Sequence, residues 1–141
     1  MTEPPLRVDV GVIWLIADLG AAETVAALNP EMDRVLQLSL THQAAGITVF
    51  GRAHDGASQI HVRSFAPALG VPEDPVCGSG NASVAAFMMH YGLLREFGAE
   101  YSSRQGMQVG RDGQVAVSVQ GGVIRIGGYA VTCVDGKLRV D

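Results

Sequence analysis

The sequence predicts an α+β domain in which a mostly antiparallel sheet curls, barrel-like, around one buried central helix, with two short peripheral helices outside it. Three observations carry that expectation. Residues 75–94 contain no Asp, Glu, Lys or Arg, and residues 82–89 are mostly small or unbranched, which favours helix over strand. A helix that is apolar all round is buried on every side. After that run the chain alternates short apolar stretches with Gly-containing turns, the signature of successive strands. A doubly wound parallel sheet would need helices between those strands, and the second half offers none.

The elements follow in order. Residues 7–17 read as one extended, β-branched segment, with Gly11 at a bulge or close backbone approach. Residues 21–28 form a short helix stopped by Asn29-Pro30. Residues 31–42 form a second, with Met32, Val35, Leu36 and Leu40 near helical spacing and acids in its first turn. Residues 47–53 and 59–65 then pair through a turn at Asp55-Gly56. Pro75 stands just before the central helix, whose N-cap is Ser79, Gly80 or Asn81 and whose end is His90-Tyr-Gly92. Residues 101–105 lead into Met107-Gln-Val. Residues 114–119 and 123–126 are strands flanked by Gly turns, and residues 129–134 pair with 137–140 through Asp135-Gly136. That makes about eight strands around the helix.

Composition bounds the function. At 141 residues the chain is read as one domain, residues 1–141, long enough to bury roughly two-thirds of its unfolded surface. A net charge of −4 with no Lys/Arg cluster gives no footprint for nucleic acid. Two cysteines are too few for a disulfide framework and point to a reducing compartment. The N-terminal residues show no basic stretch followed by an apolar core, so no signal peptide is expected. The charge-free run holds glycines, Asn81 and His90, which argues against a membrane span. The expectation is a cytoplasmic protein that binds neither nucleic acid nor membrane. His42, His54, His61 and His90 lack metal-ligand spacing, so no metal site is expected.

The chemistry is expected at the N-terminus of the central helix. Its first N–H groups and partial positive charge would lie beside Glu73, Asp74 and Cys77. Backbone N–H groups of Gly78, Ser79 and Gly80, with the Ser79 hydroxyl, read either as a plain Gly-rich entry to a helix or as a cradle for a carboxylate. Cys77 reads either as a small buried hydrophobe or as a thiol whose pKa the helix N-terminus lowers. Glu73 and Asp74 read either as helix-capping acids or as site carboxylates. Cys133 and Met88-Met89 read as core.

Ser64-Phe-Ala-Pro, the stretch Gly70-Val-Pro-Glu-Asp-Pro-Val-Cys-Gly-Ser-Gly-Asn81, Arg104-Gln-Gly106, Gly110-Arg111 and Ile126-Gly-Gly-Tyr-Ala-Val131 resemble the phenazine-biosynthesis isomerase-like (PhzF-like) family of the diaminopimelate epimerase fold. The resemblance spans the whole chain but only the second half of a usual two-domain member, whose active site lies in the cleft between two similar domains. It implies a cofactor-independent isomerase or epimerase that shifts a proton on a small carboxylate-bearing metabolite. Asp74 and Cys77 would be catalytic, and Glu73, Gly78, Ser79, Gly80 and Asn81 would bind substrate. Position 77 is often Thr in the phenazine isomerases and corresponds to an acid/base cysteine in related epimerases. Arg104 and Gln105 would line the cleft or form a solvated strand end. The missing wall would come from a homodimer, with Cys77 facing Cys77 of the partner, or from a separate chain carrying the first domain. The competing reading is a non-catalytic carboxylate-binding or assembly module.

Overall fold

The computed structural model describes residues 3–54, 56 and 58–140. An eight-stranded sheet in the order β1-β2-β3-β4-β6-β7-β8, with β5 beside β4, wraps the central helix. The strands are β1 Leu6–Asp9, β2 Ile13–Ala21, β3 Gly46–Arg52, β4 Ile60–Ala66, β5 Val71–Asp74, β6 Glu100–Gln105, β7 Gly113–Gln120 and β8 Val123–Gly127. The helices are α1 Ala22–Ala26, α2 Met32–Thr41, the central α3 Gly78–His90 and the single-turn α4 Leu94–Phe97. Five of the seven strand pairings are antiparallel; β2·β3 and β4·β6 are parallel, bridged by α1–α2 and by β5–α3–α4. The fold is α+β with a curled, mostly antiparallel sheet, as the sequence predicts.

Period-two burial builds two cores on opposite faces of that sheet. Ile16, Phe50, Ile60, Val62, Tyr101, Val115 and Val117 face α3, which fills the concave side with Val84, Ala85, Phe87 and Met88. The other face of β2–β4 carries Val49 and Phe65 against Val25 of α1 and Val35 of α2. Phe87 is fully buried and meets Phe50 edge-on at 5.5 Å between ring centroids. No described helix is long and apolar enough to cross a membrane.

Several expectations need correction. Residues 7–17 are not one strand: Gly11 takes a positive φ of 95° and turns β1 back onto β2, so it marks a turn and not a bulge. Met107–Val109 is a single 3₁₀ turn. The helix α3 begins at Gly78, and its N-cap is Cys77, not Ser79, Gly80 or Asn81. Gly80 is inside the helix because only hydrogen fits there: a Cβ would lie 2.7 Å from Ser64 Oγ and 2.9 Å from Thr48 Oγ1. The expected hairpin of 129–134 with 137–140 is absent; residues 128–140 belong to no helix or strand and are exposed. Cys133 is accordingly exposed, not core. Asp55 of the expected Asp55-Gly56 turn lies outside the described residues.

Truncating the ring at the centre tests the architecture. Phe87→Ala is expected to cost about 3–5 kcal/mol in denaturant unfolding, because a fully buried aromatic leaves a cavity that packed neighbours fill only in part. A cost below about 1 kcal/mol would place that helix face on the surface.

Candidate active site

A helix whose N-terminus lies inside the protein must satisfy its first N–H groups without water. Here that task falls to the residues around Cys77. Its sulfur accepts from the Gly80 N–H at 3.2 Å, its carbonyl accepts from the Asn81 N–H at 3.0 Å, and its own N–H donates to Gln105 Oε1 at 3.2 Å. Gln105, fully buried, also accepts from Asn81 Nδ2 at 2.9 Å and donates from Nε2 to the Asp74 carbonyl at 2.8 Å. Ser103 completes the group by donating to Asn81 Oδ1. One amide side chain on β6 therefore pins both the 74–77 turn and the first turn of α3.

A second polar cluster lies on the other side of the sulfur. Thr48 and Ser64 are cross-strand partners on β3 and β4, and their hydroxyls are 2.9 Å apart beneath Gly80. Ser79 Oγ is 3.6 Å from Cys77 Sγ and accepts from the Trp14 indole N–H at 3.0 Å. Cys77 is only 4% exposed, and burial pushes its thiol above the ordinary value. Hydrogen bonding from Ser79 and the Gly80 N–H opposes that shift, while the Asp74 charge adds to it. Burial thus outweighs the lowering expected from a helix N-terminus, and the thiol stays protonated near neutral pH.

The expected site residues separate into two groups. Asp74, half-buried, caps its own turn by accepting from the Val76 N–H at 3.0 Å. Gly78 and Ser79 sit at the outer end of the helix, where N–H groups have no intrahelical acceptor. Gly78 lines a cavity of about 510 Å³ shared with Val76, Asp112 to Val115 and Ile126 to Tyr129. Asp74, Cys77, Gly78 and Ser79 thus lie along one turn.

Glu73, Gly80 and Asn81, expected to touch substrate, are engaged elsewhere. Both Glu73 oxygens are held by Arg63, Nε to Oε1 at 2.8 Å and Nη2 to Oε2 at 2.7 Å, with side chains 8% and 5% exposed. The Gly80 N–H is spent on the Cys77 sulfur, and the Asn81 amide on Cys77 and Gln105. These three build the site and do not reach its opening. The Cys77 sulfur accepts from the first turn of its own helix, at the Gly80 N–H. Arg104 forms a partly exposed pair with Asp112, Nη2 to Oδ2 at 2.9 Å, whose hydrogen bonding holds the Asp112 carboxyl below its usual range.

Sequence reasoning undervalued Gln105, named Ser64 only within a resembling motif, and passed over Thr48, Ser103 and Trp14. The strand Glu-Tyr-Ser-Ser-Arg-Gln looks solvated, yet Tyr101, Ser103 and Gln105 alternate inward. That period-two register was the available signal. Among the described residues there is no cluster of three or more His, Cys, Asp or Glu side chains able to hold a metal.

Comparison with known proteins places these features. A family model described as phenazine biosynthesis-like protein matches residues 3–136. Antisense-enhancing sequence 1 of Schizosaccharomyces pombe is 32% identical over 95% of this chain and 46% of its own length. An uncharacterized isomerase from the same yeast is 30% identical over 96% of this chain and 77% of its own. Among solved structures, a predicted epimerase from Pseudomonas aeruginosa superposes with a TM-score of 0.64 at 27% identity, covering 91% of this chain and 43% of that one. A PhzF-family phenazine biosynthesis protein from Bacillus anthracis, at 22% identity, shares the fold with a TM-score of 0.68 over 87% of this chain and 44% of its own. The chain spans about half the length of most of these relatives.

Two measurements check the site's construction. Glu73→Ala would strand Arg63 among buried groups and is expected to cost about 3–5 kcal/mol in unfolding, a loss no surface carboxylate would give. A cost within about 0.5 kcal/mol would return Glu73 to the surface. Iodoacetamide should modify exposed Cys133 first, with Cys77 reacting in the folded protein only as pH rises above the ordinary thiol range. Rapid alkylation of Cys77 at neutral pH would contradict both its burial and the raised thiol.

Proposed function

The chain belongs to the phenazine biosynthesis-like protein family, and from that premise we propose that it carries one wall of an isomerase or epimerase site for a small carboxylate-bearing metabolite. The observation that carries the reading is the buried, capped N-terminus of α3. Its first N–H groups, on Gly78 and Ser79, have no intrahelical acceptor, Gly78 lines an open cavity, and Asp74 and Cys77 stand within the four residues before it. Oriented N–H groups at a helix N-terminus bind anions through fixed dipoles, and the same donors stabilise charge that develops on a carboxylate as a neighbouring carbon loses its proton.

The roles follow from protonation state. Cys77, held as the thiol, donates a proton to carbon as the general acid. Asp74, with one oxygen on the Val76 N–H, orients the substrate's polar groups. A base on the opposite wall, from a second domain or subunit, removes the other proton. The isomerisation balances: one proton leaves one carbon, one arrives at another, and no oxidant or reductant is required. The relatives named isomerase and epimerase, and the half-length span, support this division of labour.

The test is twofold. In a titration with small carboxylates, backbone amide shifts should concentrate at Gly78 and Ser79. Exchange of substrate-carbon hydrogen in deuterium oxide, measured across candidate carboxylates with the assembled enzyme, should fall at least tenfold in Cys77→Ser. Shifts that spare Gly78 and Ser79 would remove the cradle. Binding there, with no exchange in any assembly, would favour a non-catalytic carboxylate-binding module.

A further inference from the structure

Two hydroxyls are buried where the core has no structural need of them. Thr48 on β3 and Ser64 on β4 are both fully buried. They share the α3-facing side of their strands with Phe50 and Val62, two residues away in each case. Valine and alanine would fill the same space without the cost of taking a hydroxyl out of water. Thr48 Oγ1 donates to Ser64 Oγ at 2.9 Å, which meets only part of that cost. Ser64 still has a hydrogen of its own to place.

Gly80 marks where that hydrogen goes. The point a Cβ would take on Gly80 lies 2.7 Å from Ser64 Oγ, 2.9 Å from Thr48 Oγ1 and 3.1 Å from Cys77 Sγ. With no side chain there, the two hydroxyls and the sulfur gather around one gap. Burial is the largest influence on the Cys77 thiol and raises it, and the Asp74 charge raises it further. Hydrogen bonding from Ser79, from the Gly80 N–H and from Ser64 draws it back down. The neighbours supplied by β2, β3, β4 and β6 are Trp14, Thr48, Ser64 and Gln105, all uncharged, so Asp74 is the charged group acting on the sulfur.

We propose that Thr48 and Ser64 are positioning residues for Cys77. Thr48 occupies the Ser64 oxygen, and the Ser64 hydrogen turns to the sulfur. There it joins Ser79 and the Gly80 N–H in receiving the charge left when the thiol gives up its proton. The step balances: the S–H bond breaks, the proton goes to a substrate carbon, and the electron pair stays on sulfur. Donors fixed before the reaction need no reorientation as charge appears. The pair thereby answers the obstacle that burial sets, since a desolvated thiol otherwise holds its proton tightly. This inference rests on the reading of Cys77 as the acid, but its test needs neither a substrate nor a second wall.

Cys133→Ser leaves Cys77 as the single thiol. The Cβ chemical shift of isotopically labelled Cys77, followed against pH, then reads ionisation whatever the access of reagents. Replacing Thr48→Val and Ser64→Ala together removes both polar partners at nearly constant shape, a change that leaves stability close to the parent's. The thiolate fraction at a given pH below the midpoint should fall roughly tenfold, the worth of one hydrogen bond to a charged group. Ser64→Ala alone should displace the midpoint in the same direction, and Thr48→Ser, which keeps the hydroxyl, should titrate as the parent does. A double variant that titrates with the parent, a Thr48→Ser midpoint displaced as far as the double variant's, or a parent thiol that stays un-ionised until alkali unfolds the protein would each overturn the proposal. Substrate-hydrogen exchange lost in Cys77→Ser, with a titration unmoved by the double variant, would remove the positioning role and keep the acid. The expected titration with no exchange in any assembly would do the reverse.

Discussion

Burying the N-terminus of a helix is the constraint on which this structure depends. Apolar packing draws α3 inside the curled sheet, and the first N–H groups come in with it, where each unpaired one would cost about 1–3 kcal/mol. The solution uses side chains from three elements. The Cys77 sulfur accepts the Gly80 N–H and Gln105 of β6 accepts the Cys77 N–H, while the Asn81 side chain donates to Gln105 and to the Cys77 carbonyl and so holds both acceptors in place. The outermost donors, Gly78 and Ser79, have no intrahelical acceptor. Packing therefore shapes the candidate anion-binding end: satisfying the inner donors is what singles out the outer ones.

The same turn is braced from the other face of the sheet. Arg63 reaches through the outer layer to hold Glu73 on β5 and the carbonyls of Val25 and Leu28 at the end of α1. Its guanidinium lies 4.9 Å from the Phe65 ring centroid. With four acceptor atoms and an aromatic face around it, the buried cation is fully accommodated, the condition under which a buried pair is retained without strain. Asp74 follows Glu73 directly, so this clamp sets the position of the carboxylate in the candidate site. Residues outside the cleft thus fix geometry inside it.

Legibility in the sequence followed the physics of each signal. The central helix stood out because twenty residues without a charge leave one sensible environment, and Val84, Phe87 and Met88 lie fully buried there. Its start was misplaced because two glycines looked like a turn; the close approach of Thr48 and Ser64 that requires Gly80 is long-range and has no local signature. Glu73 looked like a partner of Asp74, since adjacency along the chain hides that alternate residues of a strand face opposite ways. Gln105 looked solvated because polar residues usually are, and its buried role appears only once β6 is registered beside α3. The tail's alternation was read as a hairpin because apolar residues alternating around Asp135-Gly136 are that motif's local signature, yet residues 128–140 form no strand.

The electrostatics of Cys77 bear on what a single wall can do. A thiol that burial and a neighbouring carboxylate keep protonated is an acid and not a base, while moving a proton between carbons requires one group in each state. The neighbouring carboxyl, Asp74, favours the protonated thiol through its charge and stands three residues before it on the same turn. Removing and delivering protons on opposite faces of a planar intermediate calls for groups on opposite sides of it. On the proposed reading, a wall that carries the acid and the anion-binding donors works with a base on the far side of the substrate. A complementing domain or subunit can then be recognised by whether it places a base facing Gly78 and Ser79 from that side.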